Sequence, residues 1–305
     1  MLVIIVMVLN DLCMSEIGWK FSLSNVICIT CNPMKKILCP VDFSNASKNA
    51  VDFAGNLAAS LMAHLTLIHV RPSIWPEAVQ LTQESVDSSE ILTEDLKILS
   101  DEVEKEFGVT CGTQLMPTTE AVENVIAQLG TNYDLIVTGT NGADDFYQLA
   151  FGSHSYQVIN KAMCPVLVIP ENCAYRPLKQ LAYAYDPHTN PIFLVDQLRE
   201  FASSLSASVK VIHVIEGEKS EEGDTKLQQL EQVVMARTYK DIPWDFEGVY
   251  GRDVAWALEH YMNSMNIDVL ALSYHHRTLM DKLFSQNVIK RISQTASFPV
   301  FTFWR

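Results

Sequence analysis

The tripeptide Ile-His-Val stands twice in this chain, at residues 68–70 and 212–214, and an aspartate, Asp42 or Asp186, lies the same distance upstream each time. Further on, DLIVTGT (134–140) answers to DVLALSY (268–274) and Pro165-Val166 to Pro299-Val300, at a second common offset ten residues shorter than the first. Two registers held on either side of one length change mark a duplicated unit trimmed in its connecting region, where length costs little free energy. A chain of 305 residues has room for two such units, since single domains run to roughly 100–200 residues.

Each unit reads as alternating strands and helices. KILCPVDFS is a short buried strand from Lys36, then a turn at Asp42, then a helix capped by Ser44, along which Val51, Ala54, Leu57, Ala58 and Leu61 recur at helical spacing. LTLIHV (65–70) is a second strand, the acidic stretch ending near Gly108 a second helix, 109–117 a third strand and 118–132 a third helix. DLIVTGT is nearly uniformly apolar, as a central parallel strand covered on both faces requires. A helix from about Ser153 to Met163 and the strand PVLVIP (165–170) close the unit, and LAYAYD (181–186) opens the next. The order βαβαβαβαβ predicts α/β architecture: two tandem doubly wound parallel-sheet domains of Rossmann-like type, 34–172 and 178–305. Met34 followed by Lys35 and Lys36 resembles a natural start, so residues 1–33 read as an N-terminal extension.

Charge and cysteine usage narrow the partners. A net charge of -14 argues against nucleic acid, because phosphate contacts need a basic surface. Much of that excess is local, from Glu77 to Glu106, and reads as a solvated helix face. The opening MLVIIVMVL is too short to cross a bilayer and lacks a basic residue ahead of it, so neither a membrane span nor a signal peptide is expected. Seven scattered cysteines suit a reducing compartment, and the cytoplasm is the expected location; the lone pair Cys28 and Cys31 carries no role.

The chemistry is expected at the end of the fourth strand, where the chain runs GTNGADDFYQLAFGSHS. Gly139 and Gly142 sit where a strand becomes a loop, and glycine there permits positive φ and close approach of a ligand to the backbone. Gly152 and Ser153 open the next helix, whose unpaired N–H groups and positive dipole end can hold phosphate oxygens without any lysine; Ser155 can add a donor. An open parallel sheet binds ligands outside the carboxyl ends of its strands, where Asp42, Val70 and Gly139 would also meet.

With its G-x2-G-x9-G-[ST] pattern complete at Gly139, Gly142, Gly152 and Ser153, the first unit resembles the ATP-binding branch of the universal stress protein family. Pro40-Val41-Asp42, His69-Val70 and Cys164-Pro165-Val166 match further marks of that family. The resemblance spans residues 34–305. It implies an adenine nucleotide α-hydrolase-like fold, with Pro40, Val41 and Asp42 bordering adenine and ribose and Val70 lining the adenine pocket. Gly139, Gly142, Gly152, Ser153, His154 and Ser155 would hold the ribose and phosphates. It also implies that the two units pack as family homodimers do, through their last strands, as an intramolecular pseudo-dimer; a homodimer of the whole chain stays open. Where the family often carries arginine in the glycine loop, this chain has Asp144 and Asp145, so Mg²⁺ or Mn²⁺ carried with the nucleotide is expected to offset their charge.

At the positions of Gly139, Gly142, Gly152 and Ser153 the second unit holds Ser273, His276, Gln286 and Asn287, and Tyr185 stands beside the adenine position. No ATP is expected there. His69 and His213 read as satisfied core histidines, while His275 and His276 point to opposite faces and make a poor metal pair. No residue stands out as a catalytic base, so the reading is a nucleotide-responsive stress or signalling module with an unnamed protein partner and at most slow ATP hydrolysis. The alternatives are an ATP-using enzyme of the adenine nucleotide α-hydrolase group, whose S-G-G-x-D-S loop is missing from CPVDFSNAS, and an interaction scaffold that binds no nucleotide.

Overall fold

The structure is a computed structural model that describes residues 34–72, 83–140, 153–185, 191–216, 221–236, 241–251, 254–274 and 298–304. The expected extension 1–33 lies outside them. The first half runs β1 (Lys36–Pro40), α1 (Asn45–Leu61), β2 (His64–Pro72), α2 (Gln83–Phe107), β3 (Cys111–Thr118), α3 (Val122–Leu129), β4 (Leu135–Gly139), α4 (Ser153–Lys161) and β5 (Val166–Ile169). The second repeats the order with β6 (Gln180–Ala184), α5 (Pro191–Ser204), β7 (Ser208–Glu216), α6 (Glu221–Ala236), β8 (Trp244–Gly251), α7 (Val254–Ser264), β9 (Val269–Tyr274) and β10 (Val300–Trp304).

Both halves contribute to one mixed sheet of ten strands, ordered β3-β2-β1-β4-β5-β10-β9-β6-β7-β8. Neighbours are parallel except at the seam, where β5 and β10 run antiparallel with Phe301 opposite Leu167. Strand pairing reproduces the doubled register: Ile37 faces Leu135 in the first half, Leu181 faces Val269 in the second. The outer helices differ in length between the copies, 25 residues in α2 against 16 in α6.

Side chains alternate across the sheet as the pleat demands. Ile37, Cys39, Leu65 and Leu67 join a core with α1, α2, α5 and α6, while Leu38, Ile68, Val70 and Ile136 join another with α3, α4 and α7. Helix α1 forms because Ser44 caps it, its hydroxyl accepting from Ser47 N at 3.2 Å, and because Val51, Ala54, Leu57, Ala58 and Leu61 line a single buried stripe. It stops at Met62, whose left-handed φ of 52° turns its N–H back onto Ala58 O and Ala59 O. Gly108, with φ 68°, ends α2 in the same way.

Two duplicated braces fix the amino edge of the sheet. Asp134 Oδ2 accepts from the N–H groups of Lys35 and Lys36 at 2.8 and 2.9 Å, and Asp268 Oδ2 accepts from Lys179 and Gln180 at the same distances. The segment joining the halves is strapped to both. Tyr175 packs edge-on against Phe53 and meets Ser60 Oγ at 2.8 Å, while Arg176 reaches Asp268 Oδ1 at 2.9 Å. Among the described residues no helix is long and apolar enough to cross a membrane.

Candidate functional site

Within the first half the strand order 3-2-1-4-5 reverses direction between β1 and β4, and an open α/β sheet offers its crevice at such a switch point. A cleft of about 400 Å³ opens there, at the carboxyl ends of β1, β2 and β4. That volume falls within the roughly 300–1,000 Å³ typical of small-molecule pockets. Pro40, Val41, Asp42, Val70 and Gly139, five of the residues expected from the sequence, all line it. Gly142 and Gly152 lie outside the described residues, as do Asp144 and Asp145. Ser153, His154 and Ser155 form the first turn of α4, and Val158 further along that helix lines the cleft. A helix joining parallel strands runs back against them, so the start of α4 belongs to the same edge of the sheet.

The walls are apolar. Val122 and Ile126, one turn apart on α3, line the cleft together with Val70 and Ile68. They were not foreseen, because their 3.6-residue spacing is the same whether a helix face covers core or a ligand. No lysine or arginine is among the described lining residues.

The turn after β1 carries the polar groups. Asp42 is exposed at the rim, and its Oδ1 accepts from Ser44 N at 3.0 Å and Ser44 Oγ at 2.6 Å. Partial burial pulls its carboxyl upward, but these bonds, with help from Ser47, outweigh that and hold it below its ordinary value. Asp42 is therefore ionised at neutral pH and ready to accept from hydroxyl groups. Phe43 adopts a left-handed φ of 63°, unusual for a residue with a side chain, and its ring lies against His69 with centroids 5.4 Å apart. His69 is satisfied, as the sequence suggested, through Nδ1 at 2.7 Å from Val41 O, but it also lines the cleft.

At Gly139 the positive φ allowed for in the sequence reading is not adopted. Gly108, not Gly139, is the described glycine with positive φ. A Cβ at Gly139 would stand 2.7 Å from the carbonyl carbon of Ala46, so the start of α1 makes a close approach that only glycine admits. The second half differs at the same places. Ser273 is buried and accepts from Tyr183 Oη at 3.2 Å, and Tyr185, 7% exposed, holds the place of Val41. Asp186, His275, His276, Gln286 and Asn287 lie outside the described residues.

Comparison with known proteins places these features in context. A family model described as the universal stress protein family matches residues 33–170. The chain is 33% identical over 142 residues to universal stress protein MJ0531 of Methanocaldococcus jannaschii, covering 45% of this chain and 83% of that protein. It is 31% identical over 144 residues to universal stress protein YxiE of Bacillus subtilis, covering 44% and 97%. Among solved structures, a universal stress protein from Archaeoglobus fulgidus aligns over 88% of this chain and 98% of its own length, with a TM-score of 0.68 at 17% identity, a likeness of fold that takes in both halves.

Proposed function

This chain belongs to the universal stress protein family, and from that premise we propose that its first domain, residues 34–172, is an ATP-binding module. The observation that carries the reading is the cleft: apolar walls of a size for adenosine at the switch point of the sheet, with one ionised carboxylate at the rim. In this reading the adenine lies against Val41 and Val70 and the ribose hydroxyls donate to Asp42. The phosphates rest on the main chain around Gly139, Gly142 and Gly152 and on Ser153, His154 and Ser155 at the start of α4. Mg²⁺ or Mn²⁺ carried with the triphosphate offsets the charge of Asp144 and Asp145.

In this reading the second domain, residues 178–305, keeps the fold and binds no ATP, with buried Tyr185 and Ser273 standing at the positions of Val41 and Gly139. The chain is then a fused pair joined through β5 and β10, with one working site, acting in the cytoplasm as a nucleotide-responsive partner of another protein and hydrolysing ATP slowly if at all. Calorimetric titration with ATP and magnesium or manganese tests the proposal and is expected to give one site per chain. Absence of binding with either ion, together with no adenine nucleotide released on denaturing freshly purified protein, would defeat it.

A further inference from the structure

We infer that His69 is a positioning residue for nucleotide binding, which holds the turn Val41–Phe43 in the shape the cleft requires; the inference rests on the ATP reading above. A carbonyl oxygen only accepts, so the contact of 2.7 Å to Val41 O puts the proton on Nδ1. Val41 N donates to Ile68 O at 2.8 Å, so both polar groups of Val41 are tied to β2. Two residues later the chain adopts the left-handed φ of Phe43, a conformation that persists only where its surroundings over-determine it. His69 supplies both supports: the hydrogen bond before Asp42 and the ring surface under Phe43 behind it. The main chain of Asp42, between them, is held by two neighbours that lean on one imidazole, while Ser44 fixes its carboxylate.

Filling the core does not account for this arrangement. A leucine at residue 69 could fill the space but would leave Val41 O without its donor. The second domain holds the matching contact, His213 Nδ1 to Tyr185 O, at 3.3 Å, in the half where tyrosine occupies the cleft position. The duplication therefore provides an internal control.

The amide nitrogen of asparagine can take the place of Nδ1, whereas that of glutamine reaches toward Nε2. His69→Asn is expected to bind ATP with magnesium within about twofold of the wild type, and His69→Leu and His69→Gln about 5- to 10-fold more weakly, the worth of one positioning hydrogen bond. His213→Leu, which removes the equivalent bond far from the site, is expected to leave ATP affinity unchanged. The inference is overturned if His69→Leu binds like wild type, if His69→Asn is as weak as His69→Leu, or if His213→Leu weakens ATP equally. Should His69→Leu fail to fold, imidazole nitrogen NMR of the wild type decides: a proton on Nδ1 is expected, and a ring protonated at Nε2 alone overturns the inference. A wild-type chain that binds no ATP brings down the nucleotide reading as well; a wild type that binds while His69→Leu binds equally brings down this inference alone.

Discussion

The main chain of Ala46 passes so close to Gly139 that a side chain has no room: a Cβ there would meet Ala46 O and stand 2.7 Å from its carbonyl carbon and 3.3 Å from Ser47 N. Helix α1 thus enters its first turn against the last residue of β4, and the cleft opens beside that contact. By strand register the corresponding residue is Ser273, which faces Phe303 as Gly139 faces Ile169. Gly139→Ala is expected to destabilise the protein by about 1–3 kcal/mol, the range for overpacking a tight interior. The measurement is a urea transition whose midpoint falls while its slope stays constant. A variant with wild-type stability would show that α1 yields without cost.

Ser44 has two tasks that can be separated by pH. Its hydroxyl caps α1 by accepting from Ser47 N, and with its N–H it donates to Asp42. Ser44→Ala is expected to cost about 1 kcal/mol at neutral pH through the lost cap. Because the folded protein holds the Asp42 carboxyl below its ordinary value, the bond from Ser44 stabilises the fold above that value and fades as pH falls through the lower, folded one. The stability gap between wild type and Ser44→Ala should therefore narrow on acidification below about pH 4, by only a few tenths of a kcal/mol for so exposed a group. A gap that widens would reverse the assignment.

Much of this was legible in the residues because the duplication made the pattern redundant. Ser44 and the stripe from Val51 to Leu61 announced α1, and the paired offsets foretold that the second half would repeat the first, as the pairing of Ile37 with Leu135 and of Leu181 with Val269 does. Boundaries set by local hydrogen bonds were less readable. Helix α3 begins at Val122, not 118, after a turn in which Thr118 Oγ1 accepts from Glu120 N, and Gly130 passes into a tighter 3₁₀ turn. In the cleft, Asp42, Val70 and Gly139 followed from the rule that ligands sit at strand ends, and Pro40 and Val41 from the family resemblance. Val122, Ile126 and Val158 did not, since an apolar helix face gives no sign of whether another side chain or a ligand will cover it. The reason for Gly139 was also hidden, because it depends on a neighbour, Ala46, distant in sequence.

Arg176 is expected to couple the joining segment to the second domain. It bonds Asp268 Oδ1 at 2.9 Å and Ile267 O at 2.7 Å, while Asp268 also braces Lys179 and Gln180. The Asp268 side chain is 11% exposed and the arginine 51%, so the pair is neither fully buried nor a freely solvated contact. Arg176→Ala should cost about 1–2 kcal/mol, between the values for exposed pairs and for bonds to a desolvated charge. Arg176→Lys should recover only part, since an ammonium cannot reproduce the geometry of the guanidinium fork. Chemical denaturation of the three proteins checks this, and an alanine variant equal to wild type would mean the two main-chain N–H bonds suffice.

The second domain supplies the design for closing the first. Val41 N and Tyr185 N donate to Ile68 O and Ile212 O at the same 2.8 Å, so the two residues occupy one place in the fold. Val41 is a cleft wall; Tyr185 is buried with its ring 6.4 Å from Tyr183 and 6.1 Å from His213. Val41→Tyr is expected to fold, because the added ring has the cleft to enter, and to lose ATP affinity tenfold or more, a cost of about 1.4 kcal/mol or above. Tyr185→Val alone should not create a site, since the Ser273 side chain remains where β4 ends in glycine. Calorimetry on both variants gives the answer: undiminished binding by Val41→Tyr would place the adenine elsewhere, and a second site in Tyr185→Val would show that a single tyrosine had kept the second domain empty.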